Sequence, residues 1–430
     1  MQNLDRLFYV ENRLSNNTTD FTHGLHRFAA KFIPQIPRWA IDQFAAPGAC
    51  VLDPFMGSGT TLVEGLLTGV RAIGIDIDPL ARLIAHAKTD VPSSARVVEL
   101  GAQIRTQWKS HAGPLIPPMP DIENFGHWYS NDAWGKLQSL FACIQNLECS
   151  NTERTFLLAV FSSILRWVSN ADDQSQKTYV SGTNRKTPPE VGETFWHSYD
   201  RALRGLKDLE RARSPYGTVM IPVNQDARDL GLPSHSVDLI VTSPPYLDSV
   251  DYMYNFMLEY FWLGPILGVP NRHTFNKLRR HYIGAKIPEQ KSETMSPALA
   301  DLLDLSQISK TRARAVTDYY LGMSQHFAEA ARCLREDGRY VLAIGNSQTR
   351  TTILPVHDGL LRLAASSGLE LEKAFAYRVR RHYMKFPRAG RGGIILIDWI
   401  IVLRKVGHSV GQPKRLPLPW VTLDHTEVAY

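Results

Sequence analysis

Residues 243–246, Ser-Pro-Pro-Tyr, follow the run Leu-Ile-Val-Thr and carry the side chains with the clearest chemical potential. Proline has no backbone N–H donor and a fixed φ, so a strand formed by this run must end at Pro244 and Pro245. The stiff turn can offer the Ser243 hydroxyl and a proline-region carbonyl as acceptors for a planar exocyclic amine, while Tyr246 stacks on the ring. Such acceptors orient the amine and raise its electron density without a covalent intermediate. An ordinary surface turn is the alternative.

A second candidate site is the turn DPFMGSGTT at residues 53–61, which follows the apolar residues Cys-Val-Leu. Gly57 and Gly59 lack a Cβ, and this lets the backbone approach a ligand closely. A plain strand-to-helix turn has the same appearance, because Gly-x-Gly alone is weak evidence. The turn lacks the Gly-Lys-Ser/Thr sequence of a triphosphate-binding loop.

An acid at the end of the next apolar segment makes a ligand site more specific. Asp76, in GIDIDP, is placed at the carboxyl tip of a second strand, where a carboxylate accepts hydrogen bonds from ribose hydroxyls. This pattern predicts an adenosine-containing ligand, and both a dinucleotide and S-adenosylmethionine qualify. The turn lacks the full Gly-x-Gly-x-x-Gly of dinucleotide folds. Asp226, in NQDARDL, either lines the adenine side or caps a helix or turn.

The order of elements predicts how these residues are positioned. Residues 50–90 alternate strand, glycine-rich turn, helix, strand and helix, a βαβα unit that builds a doubly wound, mostly parallel sheet. Strand patterns resume at residues 218–242 and again at 339–347 and 393–405. Between residues 91 and 218 the segments are long and amphipathic, so we expect an α/β protein with a large helical insertion.

These motifs together resemble the amino-methylating DNA methyltransferases, which modify cytosine N4 or adenine N6. DPFMGSGTT is similar to their cofactor loop, GIDIDP to their ribose-binding acid and TSPPY to their catalytic motif. HRFAAKFIPQIP, at residues 26–37, resembles the segment that closes over the methionine end of the cofactor. The resemblance covers residues 22–90 and 220–260, and residues 335–404 more loosely.

The resemblance implies a fold, a cofactor and a set of site residues. The fold is that of the S-adenosylmethionine-dependent methyltransferases, and the cofactor is S-adenosyl-L-methionine. The catalytic residues are Ser243, Pro244, Pro245 and Tyr246. The cofactor-binding residues are Phe32, Asp53, Phe55, Gly57, Ser58, Gly59, Thr60, Asp76 and Asp226.

The target base stays open at this point. Serine in the first position of the catalytic motif favours cytosine N4, with adenine N6 and an RNA base as alternatives. The cofactor loop precedes the catalytic motif here, whereas many cytosine-N4 enzymes have the reverse order, so the placement of a target-recognition domain stays open. In duplex DNA the amine lies inside the base stack, and we therefore expect the base to be flipped out.

Other classes of protein are disfavoured. Methylation of cytosine carbon 5 needs a cysteine nucleophile, and no cysteine follows a proline or lies near the expected strand tips. A degenerate, purely nucleic-acid-binding relative would not need the loop glycines, Asp76 and Ser243. The glycine-rich turn is the one sequence feature that favours a dehydrogenase.

Basic charge is concentrated in two stretches that also carry aromatic residues. The chain has a net charge of +6, and residues 375–393 and 271–286 contain no acid. Cations interleaved with aromatics are typical of surfaces that neutralise phosphates and stack on bases. We expect double-stranded DNA as partner and the following contacts from the first stretch: Arg380, Arg381, Lys385 and Arg388.

Length and composition predict the organisation of the 430 residues. We expect a cofactor-binding half at 1–90, a helical insertion at 91–218 and a catalytic half at 219–260. A helical and basic insertion follows at 261–334, with target recognition as its candidate role. Sheet strands with a basic loop follow at 335–405 and a tail at 406–430. Four scattered cysteines predict no metal site, and the lack of a long apolar run predicts a cytoplasmic protein without membrane contact. A cognate restriction endonuclease would be a separate chain.

Overall fold

A seven-stranded sheet forms the centre of the computed structural model. The model describes residues 18–28, 31–110, 124–173, 177–183, 185–247, 251–285, 299, 309–345, 347–348, 353–354, 356–378 and 397–406. The strands of the sheet are β1 (Cys50–Asp53), β2 (Arg71–Gly74), β3 (Thr218–Met220), β4 (Val237–Thr242), β5 (Leu334–Gly345), β6 (Leu369–Arg378) and β7 (Ile397–Lys405). Ser347–Gln348 and Ile353–Leu354 pair in a separate small sheet.

Helices surround this sheet. In chain order they are α1 (Gln35–Phe44), α2 (Thr60–Thr68), α3 (Pro79–Thr89), α4 (Ser94–Ser110), α5 (Phe125–Trp128), α6 (Asn131–Asn146), α7 (Asn151–Ile164), α8 (Val191–Ala212), α9 (Tyr252–Asn255), α10 (Met257–Leu263), α11 (Arg272–His281), α12 (Lys310–Cys333) and α13 (Val356–Ser366). Single 3₁₀ turns lie at Phe21–Gly24 and Gly264–Leu267. Within the described residues, no helix is long and apolar enough to cross a membrane.

The strand order β3-β2-β1-β4-β5-β7-β6 confirms the doubly wound sheet. β1 pairs in parallel with β2 and β4, while β7 is antiparallel to both of its neighbours. The chain leaves β1 toward β2 on one side and returns to β4 on the other. Ligands of open α/β sheets bind at the carboxyl edge at such a reversal of strand order, and that edge carries the predicted motifs.

Local sequence explains the first βαβ unit. Residues 50–53 are all buried, as expected for an interior parallel strand. Gly59 ends the turn in the left-handed region, with φ of +77°, and a Cβ there would lie 3.0 Å from the Cβ of Ala85. This glycine therefore allows α2 to begin at Thr60 while remaining close to α3.

The long segment between β2 and β3 is helical, as the sequence predicts. α4, α6, α7 and α8 pack around one apolar core, and the same core includes residues of α3, α9 and α10. Trp262, on α10, is fully buried in it, with its ring centroid 4.9 Å from that of Trp134 and 5.6 Å from that of Phe161. The division of the chain at residues 91 and 218 stays a prediction.

One strand was not predicted. β6 includes residues 375–378, the beginning of the basic stretch that we expected to form a loop, and these residues pair with β7. In the antiparallel pairing with β7, Phe375 lies opposite Ile400 and Arg378 lies opposite Ile397. A strand partner distant in sequence therefore decides the structure of these four residues.

Candidate active site

Asp53, at the end of β1, holds three elements together. Its Oδ1 accepts a hydrogen bond from Thr242 Oγ1 at 2.6 Å, and its Oδ2 accepts one from Thr61 Oγ1, also at 2.6 Å. Complete burial raises the pKa of Asp53 to about 6, although hydrogen bonds from Thr242, Thr61 and the Phe55 amide oppose the rise. The carboxyl group thus connects the end of β1 to α2 and to the end of β4, next to Ser243.

A cleft of about 790 Å³, open solvent included, lies over the carboxyl ends of β1, β2 and β4; we call it the sheet-edge cleft. The predicted residues that line it are Phe32, Phe55, Gly57, Ser58, Thr60, Asp76, Asp226, Ser243 and Pro245. The predicted residues Asp53, Gly59, Pro244 and Tyr246 are not among its lining residues. The structure thus brings both motifs to one cleft, with Asp53 and Gly59 behind its wall.

Asp76 connects the glycine-rich turn to the tip of β2. Its Oδ2 accepts the Gly57 N–H at 2.9 Å, and its Oδ1 accepts the Asp78 N–H at 2.8 Å. Burial, followed by the charge of Asp78, raises the pKa of Asp76 to about 7. Donors from a ligand would stabilise the ionised carboxylate here, as ribose hydroxyls can.

Asp78 has a different role, which the sequence analysis did not assign. It is the N-cap of α3, where its Oδ1 accepts the Leu80 N–H at 2.8 Å. It also accepts hydrogen bonds from the hydroxyls of Tyr260, at 2.6 Å, and Tyr282, at 2.8 Å. Aspartate directly before proline at a helix start is a recognisable cap signal, but no local signal indicates the tyrosine partners.

Asp226 is both a turn residue and a lining residue. It accepts the backbone N–H of Arg228 at 2.8 Å and two bonds from the Arg228 guanidinium at 2.9 and 2.7 Å. Burial opposes its ionisation, but the hydrogen bonds of His281 and Arg228 outweigh this and keep the pKa of Asp226 below its usual range. Asp226 therefore faces the sheet-edge cleft as a stable carboxylate. The turn-cap alternative describes these hydrogen bonds, while contact with the adenine side stays a prediction.

His326, on α12, supports this side of the cleft without having been predicted. Its ring nitrogens lie 2.9 Å from the Ala227 carbonyl oxygen and 2.7 Å from the Tyr340 hydroxyl. The ring of Phe55 packs edge-on against it, at 4.7 Å between centroids. Burial lowers the pKa of His326 to about 4, so the neutral imidazole is a positioning group.

Two serines are unusual in the cleft. The Oγ atoms of Ser58 and Ser243 are shielded from solvent and have no hydrogen-bond partner within the described residues. A polar atom left in this state costs free energy unless a ligand supplies the partner. Both side chains therefore indicate where polar groups of bound molecules belong.

Tyr246 lines a second cavity, which we call the proline-side cavity and which encloses about 720 Å³, open solvent included. Its lining residues are Pro245, Tyr246, Asp251, Tyr252, Met253, Asn276, Arg279, Arg280, Tyr282, Ile283, Gly284 and Ala285. Pro245, Tyr252, Tyr282 and Ile283 also line the sheet-edge cleft, so the two spaces share a wall. The Tyr246 hydroxyl donates to Asp398 Oδ1 at 3.3 Å, and the ring is 8% exposed.

The predicted DNA contacts Arg380, Arg381, Lys385 and Arg388 lie outside the described residues. Much of the other basic stretch, residues 271–286, forms α11, which has no buried residue. Among the described residues, no group of three or more His, Cys, Asp or Glu side chains is arranged to hold a metal ion.

The residues of the sheet-edge cleft fit S-adenosylmethionine. Asp76 and Asp226 present carboxylate acceptors of the kind that ribose hydroxyls and an adenine amine require, and Phe55 offers an apolar face for a planar ring. At Gly57, φ is +48° and a Cβ would lie 2.9 Å from the Phe28 ring, so the turn can keep this close approach only with glycine. The polar and apolar groups of the cleft therefore match those of S-adenosylmethionine.

Comparison with known proteins supports the same class. Residues 2–86 match the model of a family described as DNA methylase. The Type II methyltransferase M.MvaI of Kocuria varians is 29% identical over 369 residues, which cover 80% of each chain. The Type II methyltransferase M.BsoBI of Geobacillus stearothermophilus is 24% identical over 280 residues, covering 58% of this chain and 54% of the relative.

A solved structure gives a weaker likeness. A TehB-like SAM-dependent methyltransferase from Corynebacterium glutamicum is 12% identical and covers 86% of each chain, with a TM-score of 0.28.

Strand order, sheet-edge cleft and motifs define an S-adenosylmethionine-dependent methyltransferase. The match of residues 2–86 and the similarity to the two relatives support, within that class, an amino-methylating DNA methyltransferase of the N4/N6 family.

Proposed function

We propose that this chain is a site-specific Type II DNA methyltransferase that methylates the exocyclic N4 amine of cytosine in double-stranded DNA. The observation that carries the proposal is Ser243, which lines the sheet-edge cleft with an Oγ that has no partner in the described part of the chain. An exocyclic amine supplies the donor that this oxygen lacks. The similarity to M.MvaI and M.BsoBI, both named Type II methyltransferases, supports the Type II class.

The cofactor belongs in the sheet-edge cleft. Asp76 would hold the ribose, Asp226 the adenine side, and the turn at Gly57 would approach the cofactor with its backbone. S-adenosylmethionine supplies an electrophilic methyl group when it is bound. The role of Asp53 is indirect, because it fixes the ends of β1 and β4 from behind the cleft wall.

Ser243 and a backbone carbonyl of the proline pair activate the amine. Each accepts a hydrogen bond from one amine N–H, and together they raise the electron density on nitrogen and aim its lone pair along the transfer direction. Pro244 and Pro245 keep the turn rigid, so this arrangement exists before the substrate binds. Formation of the N–C bond would break the bond between the methyl carbon and the sulfonium sulfur, and the excess amine proton would then leave to water.

The target cytosine must leave the duplex to reach this turn. The proline-side cavity adjoins the turn through Pro245 and carries Tyr246 on its wall. We place the flipped base there, against the Tyr246 ring. On the strength of the sequence alone, Arg380, Arg381, Lys385 and Arg388 are proposed as further DNA contacts. The partner in a restriction-modification system would be a cognate restriction endonuclease on another chain.

The test is incubation of the purified protein with labelled S-adenosylmethionine and unmodified genomic DNA, followed by nucleoside digestion and mass spectrometry. The expected product is N4-methylcytosine, absent from a parallel reaction with Ser243→Ala. N6-methyladenine would contradict the base assignment while leaving the chemistry of the turn intact. Labelling of RNA instead of DNA would contradict the substrate class.

A further inference from the structure

Two neighbouring arginines at the end of α11 have different environments. Arg279 donates from Nε to both oxygens of Asp251, at 3.0 and 2.9 Å, and its guanidinium lies 5.3 Å from the Tyr254 ring centroid. Arg280 is exposed and has no hydrogen bond or ion pair within the described residues. Both line the proline-side cavity. Arg279 is therefore committed to the protein, whereas Arg280 is available to a ligand.

The surroundings of Arg280 identify the ligand class. α11 contains no acidic residue and has the sequence RHTFNKLRRH. Asn276, one turn before Arg280, also lines the cavity, and its amide has no partner in the described part of the chain. A free guanidinium binds phosphate, a free amide both donates to and accepts from a base edge, and an aromatic wall stacks on a base.

We propose that Arg280 binds a backbone phosphate of the target DNA strand and that Asn276 bonds to the edge of the base in the proline-side cavity. This inference rests on the proposed function, since it assigns the residues that receive its substrate. The two adjacent arginines then have different roles, since Arg279 keeps α11 fixed to Asp251 and Arg280 contacts the DNA. A phosphate contact adds to affinity for any sequence, while an amide contact discriminates between bases.

Salt dependence separates these roles. Binding of a labelled duplex of random sequence is measured across a series of salt concentrations, with S-adenosylhomocysteine present. Arg280→Ala should weaken binding roughly tenfold at low salt and lower the slope of log affinity against log salt by about 1. Arg280→Lys should keep the slope. Asn276→Ala should also keep it while lowering methyl incorporation into genomic DNA.

The matched control is Arg211→Ala, which removes one exposed positive charge from α8, outside both cavity linings. It should leave the slope unchanged. A wild-type slope in Arg280→Ala, or an equal loss in Arg211→Ala, would overturn the proposal. If wild type methylates no DNA at all, the proposed function fails instead, and the two failures are distinguished by that activity.

A second inference concerns Lys31, which lines the sheet-edge cleft. Its Nζ donates to the His23 carbonyl oxygen at 2.9 Å, and no carboxylate within the described residues forms an ion pair with it. Arg228, the other cation of the lining, is bound to Asp226. The remaining charged groups of the lining are carboxylates, so Lys31 is the one described lining cation that is uncommitted.

We infer that Lys31 pairs with the carboxylate of the methionine part of S-adenosylmethionine. An anionic group in a cleft lined by aspartates needs a cation, and Lys31 supplies two further N–H donors beyond the one given to His23. Burial lowers the pKa of Lys31 to about 8, and a bound carboxylate would favour its charged form.

Ligands with and without the amino acid part test this assignment by calorimetry. Lys31→Met should weaken S-adenosylhomocysteine roughly ten- to hundredfold and leave 5′-methylthioadenosine unchanged, because the latter lacks the carboxylate. Lys31→Arg should restore much of the difference. Equal losses for both ligands would show a structural role and overturn the inference, as would no loss for either. Failure of the wild type to bind either ligand would count against the cofactor site itself.

Discussion

Two residues of the sheet-edge cleft, Ser58 and Ser243, have hydroxyls that are shielded from solvent and unpartnered among the described residues. They lie in different motifs and should serve different ligands. Ser58 belongs to the turn whose backbone approaches the cofactor, whereas Ser243 begins the turn that receives the amine. Both hydroxyls line the same cleft and lack a described partner, so each variant is a control for the other.

Ser243→Ala should lower the rate of methyl transfer roughly 100-fold or more, because one preorganised acceptor of the amine is lost. Cofactor affinity should stay within about twofold of wild type. Ser58→Ala should show the reverse, with weaker cofactor binding and a smaller effect on the single-turnover rate. Single-turnover kinetics and calorimetry with S-adenosylhomocysteine measure the two quantities. Equal loss of cofactor affinity in both variants would contradict the division of roles.

Asp53 predicts a pH dependence of stability. Its pKa is about 6 in the folded protein and about 3.9 in an unfolded chain, so the folded state binds more protons between these values. Stability from this group is therefore highest below about pH 4, falls as pH rises, and is about 3 kcal/mol lower above about pH 6. Asp53→Asn should flatten that slope because an amide does not titrate. Thr61 already lies 3.4 Å from the Val241 carbonyl oxygen, which gives its hydroxyl a second acceptor in the variant.

Urea unfolding at a series of pH values measures this slope. The control is Asp132→Asn, which removes an exposed carboxylate from α6 and should leave the slope unchanged. The same pH dependence in wild type and Asp53→Asn would show that the buried carboxyl group is not its source.

At the scale of elements, the cap of α3 joins three segments. Asp78 accepts hydrogen bonds from Tyr260 on α10 and from Tyr282 just after α11. Tyr282 lines both cavities, whereas Tyr260 lines neither. Both tyrosine hydroxyls therefore bond to Asp78, but only Tyr282 is part of the cavity walls.

Tyr260→Phe and Tyr282→Phe should each lower the free energy of unfolding by about 1.5–3 kcal/mol, because each removes one hydrogen bond to a buried carboxylate. Only Tyr282→Phe should also change cofactor affinity or methyl transfer, since Tyr282 lines both cavities. Chemical denaturation and ligand titration distinguish the two. A matching functional loss in Tyr260→Phe would instead indicate that the cap, not the wall, is the sensitive feature.

Sequence reasoning found the parts of the site that are contiguous in the chain. The turn at residues 53–61, the acid at 76 and the turn at 243–246 are each formed by a strand end, and the parallel sheet brings strand ends together. The bonds of Asp78 to Tyr260 and Tyr282 span 182 and 204 residues, and no local pattern indicates such partners. Strand β6 was missed for the same reason, since its pairing with β7 overrides a composition that suggested a loop.

At the scale of the molecule, the core around Trp262 crosses the expected boundaries of the helical insertion. The core contains residues of α4, α6, α7 and α8 together with residues of α9 and α10, which follow the catalytic turn. The helices between β2 and β3 therefore support the segment that carries the proline-side cavity. This arrangement predicts that the helical layer and the site unfold together.

Trp262→Ala should destabilise the protein by about 3–5 kcal/mol through the cavity it leaves. Unfolding of this variant is measured by far-ultraviolet circular dichroism and by loss of S-adenosylhomocysteine binding. The two midpoints should coincide, and both should be lower than in wild type. Trp167→Ala removes a Trp that is 45% exposed and should shift neither appreciably. Separate transitions for the two probes would show that the insertion folds as an independent unit.

The end of α11 touches both spaces of the site. His281 lies 3.4 Å from Asp226 in the sheet-edge cleft, and the adjacent Arg280 lines the proline-side cavity. Any ligand that shifts this helix end therefore acts on both spaces, and a change in one affinity requires an equal change in the other. The affinity for S-adenosylhomocysteine should accordingly rise or fall on DNA binding by the factor by which S-adenosylhomocysteine itself alters DNA affinity, so retention of this product depends on how much DNA surrounds the enzyme.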